Sequence, residues 1–143
     1  MSTFRPDDSE RYSSTASNVE KSGERNFLAL SSAARRVDRV YHYDLDLFQV
    51  CKRCFQPQVF MEATSSKGFK NTSILREIAT KFEVPAILIR HEFGDEDHAY
   101  PIDIHYWNPG ILGYDAPPTR SLYGVSWGTL ISTLEGLRDR HEC

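Results

Sequence analysis

Tyr43-Asp44-Leu45-Asp46-Leu47-Phe48, then Val59-Phe60-Met61-Glu62-Ala63-Thr64, then residues 72–82 follow one another along the chain and decide how it is expected to fold. The first two stretches carry acids among apolar and aromatic residues at strand-like spacing. In the third, Ile74, Leu75, Ile78, Ala79 and Phe82 recur on one helical face, with Arg76, Glu77 and Lys81 on the other. Residues 40–50 therefore read as a strand, 51–57 as a turn, 58–64 as the return strand and 65–71 as a polar link. Asn71, Thr72 or Ser73 can cap the helix, and Val84-Pro85 stops it. Ala86-Ile87-Leu88-Ile89 is apolar on both faces, as expected of an interior strand running parallel to the one before the helix.

Working outward, an acidic loop at 94–98 leads to residues 100–107, which read as an edge strand because Pro101 lacks a ladder donor. Residues 108–123, dotted with Gly and Pro, read as a long loop. Ser126 then caps a last helix with Trp127, Leu130, Ile131, Leu134 and Leu137 on one face. Upstream, Phe27, Leu30, Ala34 and Val37 fit a helix over 25–38. Residues 1–23, rich in Ser and charge, read as a flexible tail, because they hold too little apolar surface to offset ordering entropy. The expectation is a single small α/β (α+β) domain over 24–143: a mixed central sheet with a hairpin, a crossover helix and a C-terminal helix.

The 143 residues are 40% hydrophobic and 12% aromatic, sufficient for one ordinary core. A net charge of -3 supplies no global attraction to nucleic acid, so such binding needs a local basic face. No apolar run approaches the roughly 20 residues that cross a bilayer, and no secretory leader pattern is present. A soluble cytoplasmic protein with no membrane partner is expected, and its three cysteines are expected to be reduced.

Residues two apart on a strand share a face, so Asp44 goes with Asp46 and Glu62 with Thr64. Pairing the hairpin can bring these faces together. Asp46 and Glu62, with Asp44 as a further ligand, then suit Mg²⁺ or Mn²⁺ retaining several waters, an arrangement for activating water at a phosphoryl centre. His42 shares the face of Asp44 and Asp46; packing and hydrogen bonding are its plainer use.

This order of elements, with one acid on each hairpin strand, resembles the core of the PD-(D/E)XK nuclease superfamily over residues 25–93. It is also similar to small phage and actinobacterial proteins of this general shape. The resemblance implies a restriction-endonuclease-like fold and metal-dependent hydrolysis of DNA phosphodiester bonds, in the host cytoplasm if phage-encoded. Asp46 matches the family's Asp and Glu62 its Glu, while Thr64 stands where the family has Lys. Lys67 and Lys70, just beyond the strand, are the candidates for the lysine's role because their stems are long and flexible. The alternative is a non-catalytic member of the fold, serving as a platform for nucleic acid or a protein partner.

Cys51-Lys52-Arg53-Cys54 has the spacing of half a zinc site, and His141 with Cys143 can complete it. Two thiols in a turn and a frayed Cys143 are the plainer reading. A bound Zn²⁺ would be structural, pinning the last helix to the hairpin. His91, Glu92, Asp95, Glu96, Asp97, His98, Asp103 and His105 hold metal-type ligands, although an acidic loop is usually just solvated. Tyr100, Tyr106 and Trp107 are expected to bury against Trp127.

Overall fold

The computed structural model describes residues 29, 32–34, 36–39, 43, 45–65, 70–92 and 97–143. The chain forms two compact units, Met1–Tyr43 and Asp44–Cys143. In the first, residues 32–34 are helical and close with Arg36 and Val37 N–H groups donating to the Ala33 and Ala34 carbonyls. The expected tail at 1–23 lies outside the described residues.

The second unit is a small mixed α/β domain. Its elements are β1 (Leu47–Val50), β2 (Pro57–Ser65), α1 (Ser73–Lys81), β3 (Ala86–His91), β4 (Ile102–Trp107), β5 (Arg120–Val125) and α2 (Trp127–Arg140). The strands form one sheet in the order β1-β2-β3-β4-β5. β2 and β3 are parallel, joined through α1 as the sequence pattern requires, and the remaining pairs are antiparallel.

Alternation along the strands divides the sheet into two unlike faces. Val59, Met61, Ile87, Ile89, Ile102 and Ile104 make an apolar face that α2 covers through Leu130, with Trp127, Leu134 and Leu137 packed around it. The opposite face carries Phe60, Glu62, Leu88, His105 and Trp107, in register with one another across the strands. Here α1 sits, with Phe82 against the Phe60 ring at 5.6 Å and the Arg76 guanidinium over Trp107 at 5.4 Å. The buried charged residues Glu62 and Arg76 therefore lie on the α1 side.

Several expectations change. β1 is shorter than residues 40–50, and Asp46 sits just before it rather than within it. β4 is interior, not an edge: Pro101 precedes its first residue, so the ladder loses no donor. The edge on that side is β5, which the Gly and Pro of 108–123 conceal. Leu122 and Val125 pack on the core, and the Gly124 N–H donates to Asp103 Oδ1 at 2.9 Å where the register shifts. Trp107 faces away from Trp127, whose ring meets His91 and His98 instead. Phe82 and Ile131 are more than half exposed despite their periodicity. Among the described residues no helix is long and apolar enough to cross a membrane.

Ile87 is wholly buried at the centre of the apolar face. Ile87→Ala removes this packing and leaves a cavity, and should lower unfolding free energy by about 2–5 kcal/mol in urea titration.

Candidate functional site

The register of the β1–β2 hairpin pairs Leu47 with Met61 and Phe48 with Phe60. Carried one residue further, it sets Asp46 opposite Glu62, so the two acids meet across neighbouring segments. Asp46 Oδ2 accepts the Ala63 N–H at 2.7 Å, which fixes the carboxylate at the mouth of the strand pair. Glu62 is 1% exposed, on a strand whose neighbours are apolar. A buried carboxylate remains charged only where a cation or hydrogen bonds compensate it.

Lys70 supplies that charge. Its Nζ lies 2.6 Å from Glu62 Oε2 and 3.4 Å from Asp46 Oδ2, a single cation between both acids. The ion pair is one-sided in burial: the Glu62 side chain is fully covered, whereas a third of Lys70 faces solvent. Burial pushes the Asp46 carboxyl up, but the Ala63 N–H, a hydrogen bond with Glu62 and the Lys70 charge together outweigh it and hold the group below its ordinary value. For Lys70, burial pulls down, and the two carboxylates overcome it to raise the ammonium above its usual range.

Of the residues singled out from the sequence, Asp46, Glu62 and Lys70 are therefore brought together. Asp44, Lys67 and His42 lie outside the described residues.

Next to this triad a cleft of about 220 Å³ opens between the start of α1, strands β3 and β4 and the 108–119 loop. Lys70, Arg76, Arg90 and His105 line it, with Asp115 as the acid. Burial and the Arg90 charge push His105 below its ordinary value, against the pull of Asp103. Its Nδ1 meets Ser121 Oγ at 2.8 Å. Among the described residues the buried Arg90 Nε meets no acceptor.

Arg76, expected on the solvent side of α1, is 2% exposed. Its Nε donates to Thr72 Oγ1, and its Nη1 and Nη2 donate to the Ile111 and Tyr114 carbonyls at 3.0 and 3.3 Å. Asn71 Oδ1 accepts the Ser73 N–H, since the Thr72 hydroxyl is committed to Arg76. With Gly110 N–H on Thr80 Oγ1 and Trp107 Nε1 on the Ala116 carbonyl, these bonds fasten the loop to α1 and to the end of β4 and build the outer wall of the cleft. The Gly- and Pro-bearing loop was the sole sequence signal for this role, because its carbonyls must find donors once buried.

Compared with known proteins, the chain matches no family model, no curated protein and no solved structure.

At the far end of the hairpin, Cys51, Cys54, His141 and Cys143 offer four ligand atoms all within 4.8 Å of one another. This cluster can hold a metal ion such as Zn²⁺. The Cys54 and Arg53 backbone N–H groups, aimed at the Cys51 sulfur, bring its thiol down to about 6. Hydrogen bonding with Cys54 and Cys51 drives the Cys143 thiol up to about 11. Among the described residues the His91 to His105 acids and histidines form no comparable group.

Folding favours the charged form of Asp46, so its contribution is complete above the ordinary value of 3.8 and disappears as pH falls through the lower native value. Lys70 contributes below 10.5 and loses that contribution as pH rises through its elevated native value. Asp46→Asn should therefore flatten the acid limb of a urea-midpoint profile and weaken the alkaline limb only in part, because Glu62 still raises Lys70. Lys70→Met should cost about 1–3 kcal/mol by stranding Glu62, and adding Glu62→Gln should recover part of that loss. A double-mutant cycle in urea measures the coupling.

Proposed function

We propose that the Asp44–Cys143 unit is a divalent-metal-dependent nuclease acting on DNA phosphodiester bonds. The observation that carries this reading is one ammonium, that of Lys70, lying within reach of both Asp46 and the buried Glu62 beside a basic cleft. A pair of acids that already converges on a monovalent cation is a donor set of the right charge and hardness for Mg²⁺ or Mn²⁺. The antiparallel hairpin followed by a parallel crossover strand supports the resemblance to the PD-(D/E)XK core.

Bound there, the metal would supply an activated water and neutralise phosphoryl charge. The protein's own groups do the rest. Ala63 N–H holds Asp46 by one oxygen, and burial holds Glu62 in a single position. Lys70, which lines the cleft on a long flexible stem, would donate to an oxygen that gains charge during hydrolysis. Arg90 Nε offers a donor to a neighbouring phosphate, and Arg76 adds fixed positive potential. This local field answers the unfavourable net charge of -3.

The Cys/His cluster enters the reading as a structural Zn²⁺ centre and not as the catalytic metal, because four protein ligands leave no open position for water or substrate.

Millimolar Mg²⁺ or Mn²⁺ should raise the melting temperature of the wild type, by roughly 1.4 kcal/mol of stabilisation at ten times Kd. Asp46→Asn and Glu62→Gln should abolish that rise and the metal-dependent cleavage of single-stranded and plasmid DNA. Lys70→Met should retain metal-induced stabilisation and lose cleavage. A wild type that shows neither stabilisation nor cleavage overturns the proposal and leaves a non-catalytic nucleic-acid or protein platform.

A further inference from the structure

β1 is a weakly anchored edge strand on which one half of the acidic site depends. It is four residues long, Leu47, Phe48 and Val50 are exposed, and its register slips between Gln49 and Val50. Apart from the ladder to β2, its ties among the described residues are few. The Phe48 ring stacks on Phe60 at 5.7 Å, and Gln49 Nε2 donates to Gln58 Oε1 and to the Leu134 carbonyl of α2. An edge this short and this exposed gains little from apolar burial, so it needs a further constraint to hold one register.

That constraint lies immediately after it. The chain leaves β1 into a tight turn in which the Cys51 N–H donates to the Gln56 carbonyl and the Phe55 N–H donates to the Cys51 carbonyl. The turn presents both sulfurs to the end of α2, where His141 leaves helical geometry and the extended backbone carries Cys143 alongside. The Cys51 and Cys143 sulfurs are 3.5 Å apart, Cys54 Sγ is 3.2 Å from His141 Nε2, and Cys143 Sγ is 3.9 Å from the same nitrogen. A tetrahedral Zn²⁺ at its usual bond lengths sets sulfurs about 3.8 Å apart and a sulfur about 3.6 Å from a nitrogen. The observed spacings scatter around these values. They are too long for a disulfide, whose sulfurs bond at about 2.05 Å.

We propose that Cys51, Cys54, His141 and Cys143 bind one Zn²⁺ that clasps α2 to the β1–β2 turn and thereby keeps β1, and Asp46 at its other end, in register with Glu62. Metal binding displaces the remaining thiol protons to solvent and requires no redox partner. The consequence for Asp46 as a metal ligand rests on the nuclease reading; the clasp itself does not.

The full chain, purified under reducing conditions without chelator, should contain one zinc per chain by elemental analysis. Co²⁺ exchanged into it should give the visible absorption of a tetrahedral thiolate site. Cys51→Ser and Cys143→Ser should each lower the metal content and the melting temperature. Stripping zinc should speed hydrogen exchange of the Leu47–Val50 amides at least tenfold while β3 amides change less, and re-adding zinc should reverse it.

Zinc-free protein with no cobalt spectrum overturns the site, as does a Cys51–Cys143 disulfide in the reduced preparation. Zinc that binds while β1 exchange stays unchanged on its removal overturns the clasp. If zinc-loaded protein shows the expected exchange but no Mg²⁺-induced stabilisation, the clasp stands and the nuclease reading fails. If both are present, the Mg²⁺ shift should disappear in the zinc-stripped protein.

Discussion

A carboxylate inside the sheet imposes the arrangement around it. Glu62 sits on β2 between residues that are themselves buried, and an ionised group there is tolerated only with a positive charge at hand. Lys70 is that charge, delivered by the link into α1, and Asp46 joins from the position just before β1. Three segments separated in sequence are thus bound to one electrostatic knot. Nothing in the apolar core under α2 demands this knot, since Val59, Met61 and Ile87 would pack as well without it.

How much of this was legible from sequence follows from the range of each signal. The α1 periodicity and the apolar run of β3 are local, and both elements emerge close to the expected bounds. The parallel crossover followed from them by topology alone. β5 escaped notice because its pattern is short and flanked by glycine and proline, and it becomes a strand only through pairing with β4. Pro101 misled for a related reason: a residue at a strand's threshold and one within the ladder look alike until the register is known.

The site shows the same division. Asp46 and Glu62 were recognisable by type and setting, but their meeting depended on a register that sequence does not specify. Lys70 was identifiable as a long cation near the strand end, whereas its contact with both acids is a tertiary fact. Arg76 was placed on the wrong side of its helix because charge is normally a surface signal. Its burial reflects three acceptors, two of them main-chain carbonyls more than thirty residues away. The cysteines and His141 carried a plausible spacing from the outset, and only the fold brings the two halves within ligand distance of each other.

The grip that Arg76 exerts has an evolutionary corollary. It reads the Ile111 and Tyr114 positions through carbonyl oxygens, and Ala116 is likewise held by its carbonyl through Trp107. Main-chain acceptors are common to every amino acid, so these three anchors do not depend on the side chains at 111, 114 and 116. Tyr114 and Asp115 can therefore be exchanged without loosening the scaffold. The cleft wall can change its side chains at Tyr114 and Asp115 while the buried frame beneath stays constant.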